Sequence, residues 1–258
     1  MTKAAQIAEK LKSDWLNRKP YETLGGTLAP DDLAQAYEAQ SAFQAAMQEQ
    51  RGTIVGRKIA LSNKALQEMC GIDQPVAGGI FAHELHQAPT RIATGDFIRL
   101  GLEFELALEL AKDVPPQQEE HTASSVRDLV ANVRPAFELI EDRDADYRYL
   151  DVMTLVSDNA WCGGVVLGTP IENWRELDLD AIESTVVQAG VEDEVTNTGT
   201  ASPLTFLAWV LNHFSGRGLS LKAGEHIITG SAARTRFPKS GDKFAYHVAG
   251  AVVEINVD

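Results

Sequence analysis

The segment from Leu100 to Leu110 constrains this chain more than any other. Leu102, Phe104, Leu106 and Leu108 alternate there with Glu103, Glu105, Ala107 and Glu109. A repeat of two is the period of a β-strand, whose successive side chains leave opposite faces. One face of this strand therefore belongs to a core, and the other carries carboxylates. Glu103 and Glu105 project from that second face with Cα atoms about 7 Å apart. In an antiparallel sheet with one wet face such a pair is ordinary, although glutamate has no intrinsic preference for strands.

A second acidic strand changes the balance. Val133 to Ile140 reads as a strand with Phe137 and Leu139 on one face and Ala136, Glu138 and Ile140 on the other. A carboxylate between Ala and Ile on its own face is partly buried, and must be neutralised, paired or bound to a metal. Should Glu138 meet Glu103 and Glu105, the three would repel one another without a cation. Oxygen-only ligation of that kind suits Mg2+ or Mn2+. Spacing alone does not bring the three together.

Around these strands the chain reads as a helical N-terminal part, residues 1–52, and a β-rich body, residues 53–258. Ala4, Ile7, Ala8, Leu11 and Trp15 keep helical spacing, and Pro20 ends the pattern. Pro30-Asp31-Asp32 opens a second helix, with Leu33, Tyr37, Gln40, Gln44 and Met47 along one stripe. Thr53 to Leu61 is β-rich, and Ser62 is expected to cap a short helix ending at Cys70 and Gly71. A short helix is expected from Ser124, and Ser202-Pro203 opens another that closes at Gly216 and Gly218. Strands follow at Glu225–Thr229, Lys243–Val248 and Ala251–Val257, the last two joined at Ala249-Gly250.

Charge and composition exclude several functions. The formal net charge of -14 opposes duplex binding, which needs basic side chains to displace counterions, and opposes an anionic membrane surface. No apolar run approaches the roughly 20 residues that cross a bilayer. The first twenty residues lack the apolar stretch of a secretory signal, so a cytoplasmic location is expected. Cys70 and Cys162 make neither a disulfide framework nor a thiolate metal site.

Five ordered segments carry a resemblance: Gly56-Arg-Lys-Ile-Ala-Leu-Ser-Asn-Lys-Ala65, Gly71-Ile-Asp-Gln-Pro75, Leu102-Glu-Phe-Glu-Leu106, Pro135-Ala-Phe-Glu-Leu139 and Ser157-Asp-Asn159. With Pro203 to Trp209 and Lys222 to Ser231, the sequence resembles the 2-keto-4-pentenoate hydratase family over nearly its whole length. Relatives of that family include 2-oxohept-4-ene-dioate hydratase and 4-oxalocrotonate decarboxylase, within the fumarylacetoacetase superfamily. The resemblance implies an α+β fold, a rolled mixed β-sheet core with peripheral helices. It also implies that Glu103, Glu105 and Glu138 ligate a divalent metal, Mg2+ or Mn2+, and that Lys58 and Asp158 are catalytic, with Asn159 beside them. Leu61, Ser62, Thr229, Gly230 and Ser231 would meet the substrate. A lysine beside a metal-held enolate balances its charge and relays protons, and a Thr-Gly-Ser turn offers N–H and hydroxyl groups to a carboxylate.

The implied activity is hydration of a small 2-oxo or 2-hydroxy-dienoic acid in aromatic meta-cleavage catabolism. A 4-oxalocrotonate-type decarboxylase is the runner-up, followed by an acylpyruvate hydrolase and a non-catalytic partner subunit. A homo-oligomer, or a complex with a pathway enzyme, is the expected assembly. Two departures stand out. Ala60 replaces a glycine common in the family, and Phe81-Ala-His-Glu-Leu-His86 replaces a stretch usually acidic and Met-containing. His83, Glu84 and His86 could form an acid–base dyad, since histidine as a residue type titrates near neutrality, but they lack the helical spacing of a zinc motif. A loop surface is the plainer expectation for them.

Overall fold

The computed structural model describes residues 1–258. Two N-terminal helices, α1 (Lys3–Leu16) and α2 (Leu33–Arg51), precede strand β1 (Ile54–Ala60), the short helix α3 (Lys64–Met69) and strand β2 (Val76–Phe81). Strands β3 (Leu85–Gln87), β4 (Thr90–Ile92) and β5 (Leu100–Leu110) follow, then α4 (Ala123–Val126), β6 (Val130–Glu141) and α5 (Val152–Ser157). The remainder is β7 (Cys162–Leu167), β8 (Glu183–Gln188), β9 (Glu194–Asn197), α6 (Pro203–Gly216), β10 (His226–Ile228), β11 (Lys243–Val248) and β12 (Ala251–Val257).

The strands form two sheets. A seven-stranded mixed sheet runs β2-β1-β10-β5-β6-β7-β3, and a five-stranded sheet runs β4-β12-β11-β8-β9. Strands β5 and β6 are the long antiparallel centre of the first sheet. The apolar face read from the Leu100–Leu110 alternation packs against the second sheet: Leu102, Phe104, Leu106 and Leu108 share one buried cluster with Phe244, Tyr246, Val253 and Ile255. The Phe104 ring lies 5.5 Å from Phe137 and 5.8 Å from Tyr246, both edge-on. Aromatic pairs favour that arrangement because the positive ring edge meets the negative face.

The opposite face is not wet, contrary to the ordinary expectation for an antiparallel sheet. Glu105, Ala107 and Glu138 are all buried there. Ala107, Ala136, Cys162 and Ile228 form a second apolar cluster on this side, so the sheet curls round its own carboxylates.

The helical start packs onto this body. Ile7, Ala8 and Leu11 of α1 meet Ala39, Phe43 and Met47 of α2, with Phe81 of β2. Gln40 Nε2 donates to Ala77 O and Val156 O, each at 2.8 Å, tying α2 to β2 and α5. One cap differs from expectation. Asn63, not Ser62, starts α3, because its Oδ1 accepts from Leu66 N at 2.9 Å. Ser62 is thereby left to line a cavity.

Candidate active site

Register brings the carboxylates together. In the β5–β6 ladder Glu103 pairs directly with Glu138, and Glu105 with Ala136. Alternation then puts all three glutamates on one face of neighbouring strands. Their ligand oxygens lie within 4.8 Å of one another. Glu105 and Glu138 are fully buried, and Glu103 is half-buried.

Five of the six carboxylate oxygens can be accounted for. Thr235 Oγ1 donates to Glu103 Oε1 at 2.6 Å, and Gly230 N donates to Glu105 Oε2 at 2.8 Å. Lys58 Nζ forms an ion pair with Glu138 Oε1 at 2.8 Å. Glu105 Oε1 and Glu138 Oε2 have no partner. An unpartnered buried carboxylate oxygen costs free energy, since water's hydrogen bonds are lost and not replaced. The donor set, all hard oxygens with free lone pairs pointing at one spot, fits a hard divalent cation.

The electrostatics agree. Burial pushes Glu138 up to about 7, with Lys58 opposing and Glu103 reinforcing the shift. Burial raises Glu105 well above the usual carboxylate range, and its glutamate neighbours add to the rise. Burial works against the Lys58 ammonium, but Glu138 and further negative neighbours outweigh it and leave its pKa above the ordinary value.

Short elements place these groups. Strand β10 ends at Ile228, beside Lys58 on one side and Ala107 on the other. The chain then turns through Gly230, at φ +108°, where a Cβ would stand 3.0 Å from Ser62 Oγ. Only glycine meets both demands cheaply, and the turn delivers the N–H that Glu105 accepts. Lys58 is held from the other side by Ala160 O at 3.1 Å. That carbonyl sits in a left-handed turn of three non-glycine residues, Asn159, Ala160 and Trp161, with φ of 54°, 49° and 58°. Such backbone costs on the order of 1–3 kcal/mol per residue. Asn159 offsets it by accepting from Gly79 N (2.7 Å) and Gln44 Nε2 (2.8 Å) and donating to Gly79 O (2.8 Å).

A cavity of ≈ 530 Å³ reaches Glu103 and Lys58, with Glu105 and Glu138 outside its lining. Lys58, Glu103, Leu61, Ser62, Gly230 and Ser231 line it. Thr229 is fully buried, with Oγ1 unpartnered, and lies outside the lining. Asp158 is also outside it, because its carboxylate is committed to Arg143 and to Trp15 Nε1 (2.5 Å). The structure does not bring His83 or Glu84 to this site. Glu84 is ion-paired with Arg51, and His83 Nδ1 meets Gln50 O at 3.0 Å. Glu84 and His86 line a different cavity with Leu139 and Glu141, which lie on the other face of β6 from Glu138. Sequence reasoning missed Thr235, Ala160 and the aromatic wall of Tyr147 and Trp161. The Thr235 hydroxyl lies 132 positions from the glutamate it binds, so no local pattern marks it.

Comparison with known proteins follows from this geometry. The structure superposes on the 4-oxalocrotonate decarboxylase of Pseudomonas putida, complexed with magnesium and adipate, at a TM-score of 0.89 and 21% identity, covering 100% of this chain and 99% of that one. A fumarylacetoacetate hydrolase family protein of Yersinia pestis matches at a TM-score of 0.59 and 16% identity, over 79% of this chain and 94% of that one. The fold is thus fumarylacetoacetase-like, a curled mixed sheet. No family model matches the chain. Among curated proteins, a 2-keto-4-pentenoate hydratase of Burkholderia vietnamiensis is 29% identical over 95% of this chain and 94% of its own. A second, from Dechloromonas aromatica, is 30% identical over 94% of this chain and 92% of its own. The 2-oxo-hept-4-ene-1,7-dioate hydratase of Escherichia coli is 30% identical over 92% of this chain and 91% of its own. The chain belongs to the 2-keto-4-pentenoate hydratase family.

Proposed function

We propose that this protein is a divalent-metal-dependent hydratase that converts a 2-hydroxy-2,4-dienoate into a 4-hydroxy-2-oxo acid. The observation that carries this reading is the pair of orphaned oxygens on Glu105 and Glu138, grouped with Glu103 and beside Lys58, both of which line a cavity. Hydratase-named relatives spanning the whole fold support the reaction class.

Glu103, Glu105 and Glu138 would hold Mg2+ or Mn2+. When bound, the ion supplies Lewis acidity and a template for the substrate's carboxylate and C2 oxygen. The chain's own residues do the rest. Ser62 offers its hydroxyl group to the substrate head, and Ser231, whose Oγ accepts from Phe104 N at 2.9 Å and donates to Ala233 O at 2.8 Å, holds the turn beside it in shape. Protonation of the dienol at C5 gives a conjugated 2-oxo-3-enoate, to which water adds at C4. Lys58 holds a positive charge beside the enolate as it develops, gives its proton to C3 as the enolate collapses, and is recharged by the proton that the water added at C4 releases. Ala160 O and Glu138 fix the ammonium for that role.

Incubation with 2-hydroxypenta-2,4-dienoate, with and without Mg2+, tests the proposal. Mg2+-dependent loss of dienol absorbance, with 4-hydroxy-2-oxopentanoate formed and no CO2, is expected. Release of CO2 from 4-oxalocrotonate in a parallel reaction would instead support a decarboxylase, the second reading, which the decarboxylase's closeness in fold favours. The hydratase-named bacterial relatives support a cytoplasmic setting. Assembly as a homo-oligomer belongs to the same proposal.

A further inference from the structure

Helix α2 carries three polar side chains on one stripe, Gln40, Gln44 and Arg51. Steps of four and seven residues keep them on the same face of a helix. All three close on residues 156–162. Gln40 Nε2 donates to Val156 O, Gln44 Nε2 to Asn159 Oδ1 and Arg51 Nη2 to Cys162 O, each at 2.8 Å. The stripe therefore grips the left-handed turn of Asn159, Ala160 and Trp161 ahead of it, at its first residue and just past its end.

That turn needs gripping. Three successive non-glycine residues at positive φ persist only where their surroundings over-determine them. Asn159 is fully buried, and its partners settle which way its amide points. Its Oδ1 accepts from Gly79 N at 2.7 Å, and its Nδ2 donates to Gly79 O at 2.8 Å. Oδ1 is thus an acceptor only, and Gln44 must present its NH2 group to it.

One residue further on, Ala160 O accepts from Lys58 Nζ at 3.1 Å. The other contact of that ammonium, Glu138, belongs to the acidic triad. Ala160 O is the contact that serves the lysine alone. Gly78, which pairs with Lys58 across β1 and β2, adjoins the glycine that Asn159 clasps. The path from Gln44 through Asn159 and Ala160 to Lys58 passes through no carboxylate.

Resting on the proposed hydratase reading, we infer that Gln44 is a positioning residue for Lys58. Its amide donor fixes the Asn159–Trp161 turn and, through Ala160 O, sets where the ammonium stands. Gln44 is outside the lining of the cavity, so it acts through the turn and not on the substrate. Helix α2 is then part of the catalytic frame, and no mere arm packed on the body.

Gln44→Met keeps the length of the side chain and removes the donor. Misplacing a reacting group by about 1 Å costs on the order of 10²-fold in rate. The variant should therefore lose roughly tenfold to a hundredfold in kcat for 2-hydroxypenta-2,4-dienoate. KM, and Mg2+ affinity by calorimetry, should stay within about twofold. In the Lys58→Met background the same substitution should change the residual kcat by less than about twofold, because no ammonium is left to misplace. Gln44→Glu, of the same shape and without the donor, repeats the test if Gln44→Met does not fold.

Hydrogen exchange reads the turn without turnover. Amides of residues 158–162 should exchange about fivefold faster or more in the variant, with those of β5 and β6 unchanged. Unchanged kcat in Gln44→Met overturns the inference, as does an equal loss with and without Lys58, or unchanged exchange in the turn. In each of those cases the reaction itself stands. If the parent consumes no dienoate while the turn loosens in the variant, the hydratase reading falls and the grip of α2 on the turn stands.

Discussion

Glu103 of β5 and Glu138 of β6 face each other as a direct cross-strand pair. Like charges in that relationship destabilise a sheet, and burial makes matters worse for Glu138 and for Glu105 beside it. A fold that keeps this arrangement is arranged for something that neutralises it, and each consequence below can be measured.

Without metal, the site is most stable with its buried carboxylates protonated. Glu138 has its folded pKa raised from 4.5 to about 7, so its contribution is fully present below about 4.5 and is lost as pH rises through about 7. The shift corresponds to a loss on the order of 3 kcal/mol. A divalent ion binds the deprotonated form. The rise in melting temperature on adding Mg2+ should therefore be small at pH 5 and grow to several degrees by pH 8. Scanning calorimetry across that range checks it, and a Mg2+ effect independent of pH would count against the assignment.

Glu105→Gln keeps the shape of the side chain and an acceptor for Gly230 N, but removes the charge. Mg2+-dependent turnover should fall by more than a thousandfold, a loss of about 4 kcal/mol in transition-state stabilisation. At pH 8 the metal-free variant should melt higher than the parent, because one buried charge is gone. Thermal melts with and without Mg2+ read both effects.

Lys58→Met tests the ammonium separately from the metal. General acid–base and charge-balancing roles are worth on the order of 10² to 10⁴ in rate. The account expects a loss of kcat in that range with Mg2+ binding retained. Retained kcat would leave Lys58 as a mere counter-ion for Glu138.

Asp158 should behave differently. Its carboxylate is buried against Arg143 and Trp15, and removing one partner of a buried ion pair costs about 3–5 kcal/mol. Asp158→Asn should lower the melting temperature by roughly 10 °C or more. At temperatures where the variant remains folded, kcat should change little. A large loss of kcat with unchanged stability would return Asp158 to the chemistry.

Gly78→Ala probes the strained turn beneath Lys58. A Cβ at Gly78 would come within 2.5 Å of Asn159 O and 3.2 Å of Lys58 Cγ. The turn must shift, and Ala160 O with it. A drop in kcat of tenfold or more is expected, larger than the change in KM, and steady-state kinetics separate the two.

What could be read from the sequence follows the strength of each periodic signal. The β5 alternation is long and strict, and it fixes which residues meet Phe244 and Tyr246 across the core. Glu138 was legible as a carboxylate between Ala136 and Ile140. Lys58 drew attention only through resemblance, since one lysine in a strand is usually solvated. Strands β2 and β7 escaped because Val-Ala-Gly-Gly-Ile-Phe and Cys-Gly-Gly-Val-Val-Leu are buried on both faces or interrupted by glycine, which erases alternation. The Asn159–Trp161 turn left no trace, because its left-handed residues lack the glycine that usually announces one. The aromatic wall of Tyr147 and Trp161 is assembled from two separate turns, a relationship that exists only in the folded chain.

The most direct test of the central claim couples occupancy to chemistry. Chelator-treated protein is titrated with Mg2+ in a calorimeter, and turnover of 2-hydroxypenta-2,4-dienoate is followed at each point of a matched titration. The account predicts one ion per chain, hydration rising in step with its binding, and loss of both in Glu105→Gln. Full turnover in the chelator-treated protein, or unchanged Mg2+ binding in the variant, would contradict it.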